Sequence, residues 1–152
     1  MTIAPIRTAI VLEKIAWIRK MVAAVRQLDC SSAEQFFSDT RNIAAAESYL
    51  RRALEALLDL GRHILAKGFG MAVMEYKEIA VQLVAQGVLS KEDGQTLRQL
   101  AGYRNRMVHF YQEITPGELY EICRDQLSDI ERLCNAMLNW LRDNPDKVDA
   151  SL

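Results

Sequence analysis

Arg104, Asn105, Arg106, His109 and Tyr111 fall in one short run, Arg104-Asn105-Arg106-Met107-Val108-His109-Phe110-Tyr111. These are the side-chain types that phosphodiester chemistry uses. If the substrate is RNA, cleavage without a metal needs a base to take the proton from a 2′-hydroxyl. It also needs positive charge beside the developing phosphorane and an acid for the leaving oxygen. Histidine titrates near neutral pH and serves as base or acid. Arginine stays charged and matches phosphate oxygens in a bidentate fork. Arg104 and His109 are therefore the candidate catalytic residues. Asn105 and Arg106 are candidate supports, Asn105 by orienting the imidazole or holding phosphate.

The apolar residues Leu97, Leu100, Ala101, Met107 and Val108 trace a helical stripe, and Arg104 occupies a position on it where leucine is expected. A guanidinium facing a core is costly unless something pairs with it. Such local conflicts concentrate at functional sites. Asn105 and His109, four apart, share a face with Arg98 and Gly102. Arg104 and Tyr111 are nearly aligned. Arg104 and His109, however, are separated by about 140° on an ideal helix. They either flank a groove, or a second copy of the helix completes the site. One chain offers one such histidine, and paired acid and base are simplest with two. A two-fold dimer would supply both.

The elements that must hold this run read as about five helices and no strands, an all-α up-and-down bundle. The first helix is expected from about Thr8 to Leu28, with Val11, Ile15, Ile18, Val22 and Val25 inward. Ser32 opens a capping box before Phe36 and Phe37. The second helix is expected from Asp39 to Lys67, carries Ile43, Ala46, Leu50, Ala53, Leu57, Leu60 and Ile64 inward, and is stopped by Gly68 and Gly70. A third covers about Val73 to Gln86. A fourth starts after a Ser90 cap and runs to about Tyr111. Thr115-Pro116-Gly117-Glu118 starts a fifth, which is expected to reach about Leu141 with Leu119, Ile122, Leu127, Ile130, Cys134, Met137 and Leu141 inward. Residues 1–152 are read as a single domain with its core in 8–142 and a frayed tail over 143–152.

Length and composition agree with one helical domain: 152 residues, half of them hydrophobic, with few aromatics, glycines or prolines. The net charge of −1 provides no global basic surface for nucleic acid. Locally, residues 94–112 contain Arg98, Arg104, Arg106 and His109 and no acidic residue, a small electropositive island. The bland reading is a solvated face with ordinary arginines. Cys30, Cys123 and Cys134 are odd in number, and free thiols suit a reducing cytosol. Two isolated histidines without a C-x-x-C pair give no zinc-site spacing, so no metal or cofactor is expected. No signal-peptide architecture or membrane-length apolar run is present, which points to a cytoplasmic protein without a membrane partner.

The run R-N-R-M-V-H-F-Y resembles the Arg-x4-His-x-Tyr signature of HEPN-domain proteins of the HepT toxin type. The stretch 44–66, A-A-A-E-S-Y-L-R-R-A-L-E-A-L-L-D-L-G-R-H-I-L-A, is similar to the long second helix of that family, and 113–122, E-I-T-P-G-E-L-Y-E-I, to the start of its last helix. The resemblance implies a HEPN-like dimeric bundle and a metal-independent endoribonuclease toxin. It places Arg104 and His109 as catalytic residues in a composite cleft between two copies, with cleavage leaving 2′,3′-cyclic phosphate ends. It further implies a cognate minimal nucleotidyltransferase antitoxin, MntA-like, that modifies Tyr111 with AMP. Read from the residues alone, Tyr111 is instead a core or interface aromatic.

Other constellations carry less. Asp59 and His63, four apart, are more simply a packing contact than a catalytic pair, and Glu55 with Asp59 more simply a solvated face. Trp17, Trp140 and the methionines read as core or interface filling. Two further functional readings stand beside the nuclease: a noncatalytic helical accessory subunit of a nucleotidyltransferase, and a bundle with no active site.

Overall fold

The computed structural model describes residues 5–109 and 113–152. Its element order is α1 (Thr8–Arg26), α2 (Ala33–Phe37), α3 (Thr40–Phe69), α4 (Tyr76–Ala85), α5 (Lys91–Val108), α6 (Pro116–Asp125) and α7 (Leu127–Asp143), then a 3-10 turn at Pro145–Lys147. No strand occurs among the described residues, and none of their helices is long and apolar enough to cross a membrane.

The spine is α3, 30 residues long, about 45 Å at ~1.5 Å per residue. Asp39 caps its start by accepting the amide of Arg41, and Gly70, at φ 66°, closes its end in the left-handed conformation. Gly68 does not stop the helix. It lies inside α3, where a Cβ would come within 2.9 Å of the Ile6 side chain. Packed along α3 is α1, which buries Val11, Ile15, Ile18, Val22 and Val25 as its periodicity requires. The other face of α3 takes the α4–α5 hairpin. Gly61 on α3 and Gly94 on α5 let α4 in close: a Cβ on Gly94 would stand 2.1 Å from the Val84 side chain.

The expected fifth helix is two helices. The backbone leaves helical geometry at Gln126 (φ −114°, ψ 2°). On one side α6 covers α2 and α3, with Tyr120 stacked near Phe36 and Phe37; on the other α7 covers α1, α3 and α5. A straight rod could not lie on both surfaces, and the bend resolves that. Every residue expected inward on this segment is buried.

The tail is not frayed over 144–150. The Ile6 amide donates to the Lys147 carbonyl and the Asp149 amide to the Ile6 carbonyl, forming an isolated parallel bridge between Ile6 and Val148. Thr8 donates its amide to Asp149 and its hydroxyl to the Ala150 carbonyl. Lys147 donates to the Gly68 carbonyl. These bonds use groups that a free tail would leave to water. Trp140 does pack against Phe69, but Trp17 is 38% and Met74 81% exposed, so these two are not core.

Candidate functional site

Ser90 starts α5 by accepting the amide of Asp93 through its side-chain oxygen. Leu97, Leu100 and Ala101 bury one face of the helix in the core. The same face carries Arg104 to the surface of α3, and three groups meet the guanidinium there. Its Nε donates to Glu55 Oε1 at 3.3 Å, and one terminal nitrogen donates to the Asn105 side-chain oxygen at 3.5 Å. Its carbon lies 4.6 Å from the centre of the Tyr76 ring, a cation–π contact. Side-chain exposure is 24% for Arg104 and 27% for Glu55, so the conflict noted in the apolar stripe is answered by a half-buried carboxylate. Glu55 is thus no solvated face. Its Oε1 also accepts from Arg51 at 3.1 Å.

The network extends through Tyr76. Its hydroxyl donates to Asp59 Oδ1 at 3.1 Å, and Arg62 donates to the same oxygen at 3.0 Å. Burial, with Asp59 beside the ring, pushes the Tyr76 hydroxyl up from its ordinary pKa. Asp59 is therefore engaged with Arg62 and Tyr76 and not with His63. His63 Nε2 instead accepts the Arg7 amide at 3.1 Å. Burial chiefly, then nearby Lys14, Lys67 and Arg7, hold His63 below its ordinary pKa, in keeping with a neutral ring that accepts.

His109 resolves the angular problem. It lies just past the end of α5 on extended backbone (φ −105°, ψ 100°), so the helical angle between positions 104 and 109 no longer applies. Arg104 and His109 line one open hollow of about 350 Å³ together with Asn105, Arg62, Tyr76 and Lys77 and one carboxylate, Glu75. Tyr111 lies outside the described residues.

Arg106 is placed differently. Its two terminal nitrogens donate to the two carboxylate oxygens of Glu118 at 2.8 and 2.9 Å, and one also donates to the Glu113 carbonyl. Glu118 is the third residue of α6 and completes a capping box with Thr115. The Arg106 guanidinium, followed by the Thr115 backbone, holds the Glu118 carboxyl below the usual range. Arg106 therefore braces the junction between α5 and α6.

Among the described residues no cluster of histidine, cysteine and carboxylate side chains is grouped as a metal ion would need. The thiols of Cys123 and Cys134 are pushed up to about 12 by burial, which makes them poor nucleophiles. The sequence reading missed Tyr76 and Lys77 and undervalued Glu55. All three come from other helices, and no spacing within residues 104–111 could have announced them.

The "mRNA nuclease HepT" of Shewanella oneidensis is 24% identical over 129 residues, covering 84% of this chain and 96% of the relative. The "tRNA nuclease HepT" of Aphanizomenon flos-aquae is 23% identical over 115 residues, covering 76% and 78%. Among solved structures, the tri-AMPylated Shewanella oneidensis HEPN toxin in complex with MNT antitoxin superposes with a TM-score of 0.77 at 23% identity, over 84% of this chain and 96% of that one. The fold is that of a HEPN toxin. The family described as Ribonuclease HepT-like matches residues 11–137. The chain belongs to that family.

Proposed function

We propose that this protein is a metal-independent endoribonuclease toxin of the HepT type, acting in the cytoplasm as a homodimer. The observation that carries this reading is the convergence of Arg104 and His109 on one hollow, through an unwound helix end, in a chain of this family. His109 takes the proton from the 2′-hydroxyl as that oxygen attacks phosphorus. The bond from phosphorus to the 5′-oxygen breaks, and the partner's His109 returns a proton to the departing oxygen. The products are a 2′,3′-cyclic phosphate and a 5′-hydroxyl. Arg104 neutralises the charge on the phosphoryl oxygens, for which its terminal nitrogens are placed by the Glu55 contact at Nε.

Control follows from the same reading. The structural relative is AMPylated and bound to its MNT antitoxin. Here a nucleotidyltransferase of the MntA kind would modify Tyr111, adding bulk and negative charge two residues after His109 in the sequence. The names of the relatives as nucleases favour an enzyme over a noncatalytic accessory subunit.

The test is incubation of pure protein with total cellular RNA in chelator. Wild type is expected to cut and to leave cyclic phosphate ends, and His109→Ala to be inactive. Equal inactivity of both on every RNA pool would end the catalytic claim. Co-expression with an MntA-type enzyme should add AMP-sized mass to wild type and none to Tyr111→Phe.

A further inference from the structure

A second hollow, of about 470 Å³, adjoins the Arg104 hollow and shares Lys77, Asn105 and His109 with it. Its own lining adds Gln99, Gly102, Tyr103 and Arg106. We propose that it is a subsite for the nucleotide next to the cleaved phosphodiester, with Lys77 holding a phosphate and the Tyr103 ring supporting a base. The proposal rests on the nuclease reading above and deepens it.

Four observations carry it. First, the volume lies within the ~300–1,000 Å³ of small-ligand sites. Second, no carboxylate lines it. In the groove between α1 and α3, by contrast, Glu13, Glu55 and Asp59 stand against Lys14, Lys20 and Arg52, so the charge there is balanced. Third, its available cation is Lys77. Arg106 also reaches the hollow, but both of its terminal nitrogens are held by Glu118. Among the described residues Lys77 has no ion-pair partner. Fourth, Gly102 makes the room that Lys77 occupies. The site where a Cβ would stand at 102 is 3.6 Å from Lys77 Cε and 4.0 Å from Nζ, with no other heavy atom in range. Helix packing does not demand glycine there, unlike Gly94, whose missing Cβ admits Val84. A side chain at 102 would project into the hollow.

Tyr103 supplies the second element of single-strand recognition, an aromatic face beside a cation. The ring is half-buried, and Gln99 donates its amide to the tyrosine hydroxyl at 3.0 Å, which fixes the outer edge. Two adjoining hollows with His109 on their common wall suit an enzyme that cuts between two nucleotides. One takes the phosphate under attack and the other takes the neighbour.

The experiment uses wild-type protein and a 2′-fluoro RNA of about ten nucleotides, which lacks the attacking hydroxyl and so survives binding measurements. Lys77→Met is expected to weaken binding about tenfold, to lower the slope of log affinity against log salt by about 0.7, and to be rescued by Lys77→Arg. Gly102→Leu should weaken binding similarly with an unchanged melting temperature. Tyr103→Leu should weaken it about fivefold or more, while Tyr103→Phe, which keeps the ring, binds as wild type. If wild type binds and cleaves RNA but Lys77→Met and Gly102→Leu bind like wild type, the subsite is overturned and the nuclease stands. If wild type neither binds nor cleaves, the nuclease reading falls and takes the subsite with it.

Discussion

Arg104 and Arg106 stand two residues apart on α5, and each faces one glutamate from another helix. Glu118 takes both terminal nitrogens of Arg106 through two oxygens, a complete fork-to-fork pair. Glu55 takes only Nε of Arg104, while Tyr76 covers the face of the guanidinium. Among the described residues no carboxylate holds the terminal nitrogens of Arg104. One arginine has its outer edge spent on a helix junction, and the other presents that edge to a hollow. Residue type does not separate the two, and the apolar stripe marks Arg104 without saying how it is held. The carboxylate geometry across from them does.

The two arginines should differ most in their effect on activity. Arg104→Ala and His109→Ala should each lower RNA cleavage by about 10²–10⁴-fold with melting curves close to wild type. Arg106→Gln should do the reverse, lowering the melting temperature while cleavage by the folded protein persists. An Arg106→Gln protein that is fully folded and as inactive as Arg104→Ala would erase the distinction. Glu55→Gln comes next. It keeps the shape of the side chain but loses the charge that anchors Nε. A misplaced group of this kind can cost up to about 10²-fold, so cleavage should drop by ten- to a hundredfold with RNA affinity little changed. An unaltered rate would show that Tyr76 alone positions the guanidinium.

Stability effects are smaller. Thr115→Ala removes the hydroxyl that accepts the Glu118 amide and should cost about 1 kcal/mol in denaturant unfolding. The smallest effect is expected at His63, which accepts the Arg7 amide. Its folded pKa lies below its unfolded value, so the unfolded chain takes up a proton first as pH falls. The stability it confers is complete above the unfolded value of about 6.5 and is lost as pH drops below that. His63→Gln should therefore show a shallower decline in melting temperature between pH 7.5 and 5.5 than wild type. A steeper decline would contradict the assignment of a neutral, accepting ring.

Local signals in the sequence were reliable where the responsible contacts are also local. Ser32, Ser90 and Thr115 each accept the expected amide, with the reciprocal capping box closed at Thr115, and the stripes of α1, α3 and α7 are buried apart from the half-buried Ile43. The bend at Gln126 was not legible, because no glycine or proline marks it and the apolar rhythm runs through it unbroken. It arises from the different surfaces that α6 and α7 cover. The docking of 144–150 was equally hidden, since its partners Ile6, Thr8 and Gly68 are remote in sequence. At the site, the motif residues were readable as chemistry, and Arg104 was marked by its place on an apolar stripe. The means by which it is held, Glu55 and Tyr76, belongs to tertiary structure alone.

Glu118 is also a clasp. By closing the first turn of α6 and gripping the last turn of α5, it fastens the two ends of the stretch that begins at His109. Uptake of one proton there would weaken both fastenings together. With the Arg106 charge holding that proton off, mild acid leaves the clasp shut, and only stronger acid should let the two helix ends part.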